Sequence, residues 1–342
     1  MLVKNRNIRT TLAASIAPML ASLLMPASAT ADTVLFPVIA VNVPNVTTIV
    51  SVMNGPDGSS DKLRYFYKYK DSLVNGVPNT TGKCFANDPV TFDRNTTNGD
   101  IVSFDTSGIL NSGNALFGDT NFYGGSFDIG LTGPIRGYLT VSNCCNPDSS
   151  IVEDDGDLDL SGEAVILDIA SGAAWGMKAI NDENREGYAF VPEYETGGGV
   201  WNSLPSNGSD VRRFSFFPLT DWRTRFFVTP LGNNLAAAQA DALAKVALRT
   251  STSQSGEGVY DRQGNLFVPT PIVHEIYCTS AVDLEDMMDS STLEKVENSG
   301  GWSFFRVISG DAVVYKLEYT VNAAAYGGTV NNGMLLSTHA LP

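Results

Sequence analysis

The stretch Asp32–Asn54, DTVLFPVIAVNVPNVTTIVSVMN, decides the fold. Valines, isoleucines and threonines dominate it on both sides of Val43-Pro44-Asn45, a composition that suits a pleated, buried strand and not a helix. It predicts two strands, Val34 to Asn42 and Val46 to Asn54, joined by a proline turn. Pro37 has no N–H to give to a ladder, so the first strand should lie at an edge or carry a bend. Downstream, short β-branched and aromatic runs recur between clusters of Gly, Asn, Asp and Pro, which extends the same reading to the whole body.

What precedes Asp32 reads as an address. Lys4, Arg6 and Arg9 form a positive start, Leu12 to Met25 is apolar, and Ala27, Ala29 and Ala31 supply small residues for cleavage after Ala31. The competing reading is a membrane anchor, but the apolar run is interrupted by Ser15 and Pro18 and falls short of the roughly 20 residues a span needs. Residues 1–31 are therefore expected to be a signal peptide, and the mature chain to be exported to the periplasm, the outer cell surface or the extracellular space. No later segment is apolar for long enough to span a membrane. The formal charge of -15 becomes -18 when three leader cations and no anions are removed. Such an acidic chain lacks the clustered Lys and Arg that phosphate binding requires, which argues against nucleic acid and anionic membrane surfaces as partners.

The mature chain of about 310 residues is long enough for one elaborated β domain or two packed β subdomains. The expected fold class is mainly β, an antiparallel β-sandwich architecture with one or a few short helices. The expected parts are an N-terminal β region at 32–147, an acidic loop at 148–162 and a C-terminal β region at 163–342.

Four cysteines, Cys84, Cys144, Cys145 and Cys278, are an even number in a chain bound for an oxidising compartment, which favours disulfides. Adjacent cysteines bond each other only with strain, so Cys144 and Cys145 are expected to reach separately to Cys84 and Cys278, in an order the sequence leaves open. In the acidic loop, Glu153, Asp155, Asp157 and Asp159 surround Gly156 and are candidate oxygen ligands for calcium. Their spacing departs from the helix-loop-helix calcium pattern, and a solvated acidic loop is the plainer alternative. With His274 and His339 the only histidines, a zinc site lacks ligands.

Between Lys62 and Lys70 the alternation is clean. Leu63, Tyr65, Tyr67 and Tyr69 share one face, and Lys62, Arg64, Lys68 and Lys70 the other, Phe66 being the exception. A stacking platform with a basic guide is the functional reading; a half-buried strand with its tyrosines on the core is the expected one. Residues 71–136 are poor in apolar side chains, so a bridge from Cys84 should matter most there. Further on, Ala164 to Ile169 and Ala174 to Ile180 read as a hairpin turning at Ser171-Gly172, and Val259 to Val268 as a second one turning at Asp261 to Asn265. In the run Trp222 to Thr229, Trp222, Thr224, Phe226 and Val228 share a face opposite Arg223, Arg225 and Phe227, and those arginines are expected to meet the acidic loop. Leu235 to Leu248, LAAAQADALAKVAL, is Ala-rich and predicts a helix, with short helical turns at Asp283 to Met288 and Ser291 to Asn298.

Several segments taken together, LFPVIAVNVPNVTTIVSVMN (35–54), TDWRTRFFVTP (220–230), GVYDRQGN (258–265), FVPTPIVHEIYC (267–278) and GWSFFRV (301–307), resemble a set of secreted β-rich bacterial proteins with no assigned activity. The chain departs from that pattern at Gln263, where an acidic residue is usual. The resemblance implies secretion and a β fold and carries no functional residue with it.

Catalytic patterns are missing from the sequence. There is no G-x-S-x-G elbow, and neither histidine is placed for a triad. The expected role is non-catalytic: an exported structural or adhesive protein that contacts other protein subunits or cell-surface components; its mature N-terminal segment could complete another subunit's sheet by β-strand addition, although pairing within its own domain is the plainer expectation for that segment. The alternative is a carbohydrate-binding or glycan-processing protein, motivated by four Trp, twelve Tyr and abundant carboxylates.

Overall fold

The computed structural model describes residues 33–55, 61–84, 90–108, 110, 133–143, 160–170, 172–181, 190–191, 200–201, 211–231, 243–250 and 256–320. The first part of the chain runs through β1 (Thr33–Val41), β2 (Val46–Asn54), β3 (Asp61–Asp71), the small hairpin β4 (Leu73–Val74) and β5 (Val77–Pro78), β6 (Val90–Thr96), β7 (Ile101–Asp105), β8 (Ile135–Asn143), β9 (Leu160–Asp168), β10 (Ala173–Lys178) and β11 (Ile180–Asn181). They form two antiparallel sheets, β10-β9-β2-β7 (sheet I) and β11-β1-β8-β3-β6 (sheet II). The second part comprises β12 (Phe190–Val191) and β13 (Val200–Trp201), paired with each other, then β14 (Val211–Phe216), β15 (Trp222–Leu231), β16 (Leu243–Leu248), β17 (Val259–Asp261), β18 (Leu266–Phe267), β19 (His274–Tyr277) and β20 (Ser280–Asp283). A 3-10 turn (Leu284–Met287), the helix α1 (Ser290–Val296), β21 (Gly301–Ser309) and β22 (Asp311–Thr320) complete it. Here β20-β15-β22 make sheet III, and β18-β17-β21-β16-β19, with β14 on β21, make sheet IV.

The fold is mainly β, as the composition predicts, with sandwich-like packing of sheets. Sheet I packs on II, II on III and III on IV, and β10 at the edge of sheet I also reaches sheet III, where Trp175 stacks on Phe227 and Tyr315 donates to the Lys178 carbonyl. Sheet I meets sheet II where Phe104 sits edge-on to Tyr65 at 5.6 Å. Sheet II meets sheet III where Thr229 and Thr279 donate to the Pro37 carbonyl. Sheet III meets sheet IV through Phe226, 4.6 Å from Phe305 and 4.9 Å from Phe214. One core cluster therefore runs through sheets I and II into Phe227, Ala281, Val313 and Tyr315 of sheet III, and a second fills the other side of sheet III.

This layering explains β3. Its tyrosines are in the core as expected, with Tyr65 and Tyr67 fully buried, but Phe66, Lys68 and Lys70 on the opposite face are buried too. A strand in a middle layer has no solvent face, so the half-buried expectation and the basic guide both give way to burial on both sides. Gly137 in β8 shows how close the strands lie. It pairs with Tyr69 and Ile39, and a Cβ there would come within 1.9 Å of the Lys68 carbonyl oxygen.

The opening strands form as read. The β1–β8 register shifts between Phe36 and Ile39, so Pro37 produces a bend inside a sheet. The shift turns the Pro37 carbonyl toward sheet III. β1 pairs with β8 along its length and with β11 at Val34 and Leu35, so this N-terminal strand is taken up within its own chain. Both predicted hairpins are present as β9–β10, with Gly172 at φ +72, and β17–β18, where the Asp261 carboxylate accepts from the Asn265 backbone and side chain. β9 pairs with β2, β10 with β9 and β11 with β1, so residues 160–181 are laddered onto the N-terminal strands.

The helix predicted over 235–248 is corrected in its described portion. Leu243–Leu248 is strand β16, laddered to β19 and β21. Ala244, Val246, Ala247 and Leu248 are buried, and two ladders of backbone hydrogen bonds outweigh a helix propensity of a few tenths of a kcal/mol per residue.

The short helical turns fall where expected. Asp289 caps α1 by accepting from the Thr292 N–H at 3.0 Å, and also takes the Ser291 hydroxyl and the Thr270 N–H. The Ser291 hydrogen bond, with the backbone donors behind it, pulls this carboxyl down to about 2. Because its folded pKa lies below its unfolded value, the cap stabilises above about pH 4 and is lost as pH falls toward about 2. Asp289→Ala is expected to lower the unfolding midpoint by a few degrees at neutral pH, and thermal scans of the two proteins should converge near pH 2.

Candidate functional site at the seam between sheets II and III

The inner seam joins two sheets that both carry charge inward. Strand alternation sends Lys68 and Lys70 of β3 and Arg136 of β8 to the face of sheet II that looks at sheet III, with Lys70 and Arg136 directly paired. From sheet III, Arg223, Arg225, Phe227 and Thr229 of β15 point back, with Asp283 of β20 opposite Arg225.

At one end, the Lys70 ammonium is held by four oxygens. Nζ donates to the carbonyls of Thr80 (3.2 Å), Gly82 (2.9 Å) and Tyr277 (2.5 Å) and lies 2.6 Å from the Ser280 hydroxyl. Lys70 is 1 % exposed. Burial, and then the neighbouring Arg136 charge, push it down to about 7, against the pull of its oxygen cage. The loop 79–84 that supplies two of these carbonyls is folded on itself by Asn79, which accepts the Gly82 N–H and donates to the Asp71 carbonyl. Thr80 also accepts the Tyr277 N–H at 3.2 Å.

The same loop ends in a disulfide. Cys84 is bonded to Cys278, with Cα atoms 5.2 Å apart and 194 residues between them in sequence. This corrects the expectation that Cys144 and Cys145 would reach to these two. Cys278 sits at φ +54 in the tight turn between β19 and β20, and sheet packing brings that turn onto the loop after β3. Spacing along the chain carries no trace of that meeting. Cys144 and Cys145 lie outside the described residues.

At the other end is an arginine cluster. Arg225 grips Asp283 with two hydrogen bonds, 2.6 Å from Nε and 2.9 Å from a terminal nitrogen. Arg223 adds a bond to Asp283 at 3.1 Å and lies 3.6 Å from Glu285. Burial acts upward on Asp283, but the Arg225 hydrogen bonds and the two guanidinium charges overcome it and hold the carboxyl below its usual range. Glu285 is held above its usual range by burial despite Arg223. These arginines were expected to meet the acidic loop at 148–162; their described partners are Asp283 and Glu285.

Arg136 differs from the other two arginines. Its guanidinium lies 5.3 Å from the centre of the Phe227 ring, and its Nε is buried with no partner. Burial, and then the Arg225 charge, push it down to about 10, with Asp283 and Tyr319 acting weakly the other way. Burial holds the Tyr319 phenol un-ionised above its usual range.

Between sheets III and IV a second lysine is enclosed. Lys316 donates to the Ser215 carbonyl at 2.7 Å and lies 3.5 Å from Glu318, whose other oxygen accepts from Thr224 and the Phe217 N–H. The described tryptophans are likewise engaged in packing. Trp175 stacks on Phe227 at 4.8 Å, Trp222 lies against Phe217 at 4.9 Å, and Trp302 is held between Tyr260, parallel at 3.9 Å, and Arg213 at 5.0 Å. A sugar ring needs an open aromatic face, and these rings have theirs against other side chains.

The candidate calcium ligands Glu153, Asp155, Asp157 and Asp159 lie outside the described residues, as does His339. Among the described residues no group of three or more His, Cys, Asp or Glu is placed to hold a metal ion. His274 contacts the Asp286 carbonyl at 3.0 Å. Sequence reasoning missed Lys70, Arg136 and Asp283 as seam residues. The available signal was a lysine pair alternating with tyrosines, which reads the same whether its face meets water or another sheet. The disulfide is compatible with an exported chain, and no helix among the described residues is long and apolar enough to cross a membrane. No protein-family model, curated protein or solved structure matches the chain.

Proposed function

We propose that the mature chain is an exported, non-catalytic structural or adhesive protein, a braced β body that works through contact with other protein subunits or cell-surface components. The observation that carries this reading is the inner seam. A disulfide and a four-oxygen lysine cage clamp segments about 200 residues apart, a construction that favours persistence of shape. The glycan alternative is weakened on its tryptophans, because Trp175 and Trp222 are buried and Trp302 is stacked on Tyr260.

The route to assembly differs from donation of the N-terminal segment, since β1 already has partners in its own chain. An edge such as β14, which pairs with β21 and with no other strand among the described residues, fits strand addition better. Light scattering behind size exclusion, over a concentration series of the mature protein, together with negative-stain microscopy, tests the reading. Concentration-dependent higher species, or retention on cell envelopes, is the expected result. A monodisperse monomer at the highest attainable concentration that ignores envelopes overturns it.

A further inference from the structure

We propose that the arginine end of the inner seam is a binding site for a single carboxylate group of a small organic acid, with Arg136 as its anchor and Tyr319 beside it. The charges of the cluster do not balance. Arg136, Arg223 and Arg225 face Asp283 and Glu285, leaving one positive charge over within the arginine cluster, with the Lys70 ammonium, held in its own oxygen cage, adding to the positive field beside Arg136. The surplus is localised. Asp283 is saturated by the fork of Arg225 and the bond from Arg223, and Glu285 leans on Arg223, so neither carboxylate reaches Arg136 with a hydrogen bond.

Arg136 is left with a ring face and a buried Nε that has no acceptor. A guanidinium presents planar paired donors, and a carboxylate is the anion that fits them two to two. One surplus charge fits a monoanion; a dianion would bring its second charge against Asp283 and Glu285. The place is reachable, because Arg136 is only partly buried and Arg223 and Arg225 are partly open to solvent. Tyr319, whose phenol stays protonated, adds a donor of the kind a carboxylate accepts.

The cluster lies within one chain, so its test does not depend on assembly. The mature protein is titrated with acetate, with neutral acetamide, and with sulfate at matched ionic strength in chloride, and binding is read by calorimetry and by the thermal midpoint. Acetate is expected to give a saturable shift, acetamide none, and sulfate less than acetate. Arg136→Met removes an unpaired charge and keeps an apolar contact with Phe227, so it is expected to unfold at a higher temperature than the parent without acetate and to show no acetate response. A residue that merely held the fold together would give the opposite shift. Arg136→Lys retains the charge without the fork and should bind acetate about tenfold more weakly, which keeps the test open should the Met variant not fold. An acetate response equal to the chloride control, an unchanged response in either variant, or a sulfate response as strong as that of acetate overturns the proposal.

Discussion

Replacing both bridge cysteines, Cys84→Ser with Cys278→Ser, is expected to lower the free energy of unfolding by about 4 kcal/mol. The bridge closes a segment with a sequence separation of 194 residues. The chain-entropy relation gives about 5 kcal/mol for a loop of that size at room temperature, and real bridges deliver somewhat less. Both sulfurs are in nearly buried residues, so two serine hydroxyls would add a desolvation cost in the same direction. For a chain of this size the loss corresponds to about 6 °C in the unfolding midpoint.

Denaturant unfolding of the double variant, and of the parent with and without reductant, measures the loss. An unchanged midpoint would show that the loop 79–84 and the β19–β20 turn hold together without the bond. Peptide mapping without reduction gives a separate check, since a Cys84 peptide linked to one carrying Cys144 or Cys145 would contradict the connectivity.

The parent is also expected to grow more stable with rising pH from about 7 to about 9, by up to about 2 kcal/mol, and Lys70→Met should remove that gain. Lys70 titrates near 7 in the folded protein and near 10.5 when unfolded. Below pH 7 both states hold the proton and the folded protein bears the full cost of a desolvated ammonium. Between the two values the unfolded chain binds more protons, so stability rises with pH until the unfolded side chain also loses its charge. The oxygen cage favours the ammonium and trims the swing without reversing its sign.

The methionine variant leaves few groups stranded. Thr80 keeps the Tyr277 N–H, and the one Ser280 hydroxyl hydrogen is free to serve the Tyr277 carbonyl. The Gly82 carbonyl loses the donor that Lys70 supplied, at about 1–3 kcal/mol. Other groups titrate in this window, so the difference between the two stability–pH curves is the quantity to read. Parallel curves would mean that Lys70 is not the group responsible.

Local patterns were legible wherever a strand's neighbours in sequence decided its form. The pair at Val34 to Asn54, the bend at Pro37, the turns at Gly172 and Asp261 to Asn265, and the tyrosine face of β3 all follow from alternation and turn chemistry. Leu243–Leu248 failed for the complementary reason: an alanine-rich segment has a mild helical preference that two flanking strands override.

By itself the sequence determined a mainly β body, two of its hairpins and the presence of disulfide chemistry. It also carried the acidic balance that argues against nucleic acid. Only the tertiary structure decided that Cys84 meets Cys278, that Lys70 sits among four oxygens, and that Arg136 faces Phe227 without a carboxylate of its own. The physical reason is the layering. Alternation tells which residues share a face of a strand, but what that face meets, water or another sheet, depends on how whole sheets stack, and in sheets II and III both faces meet protein.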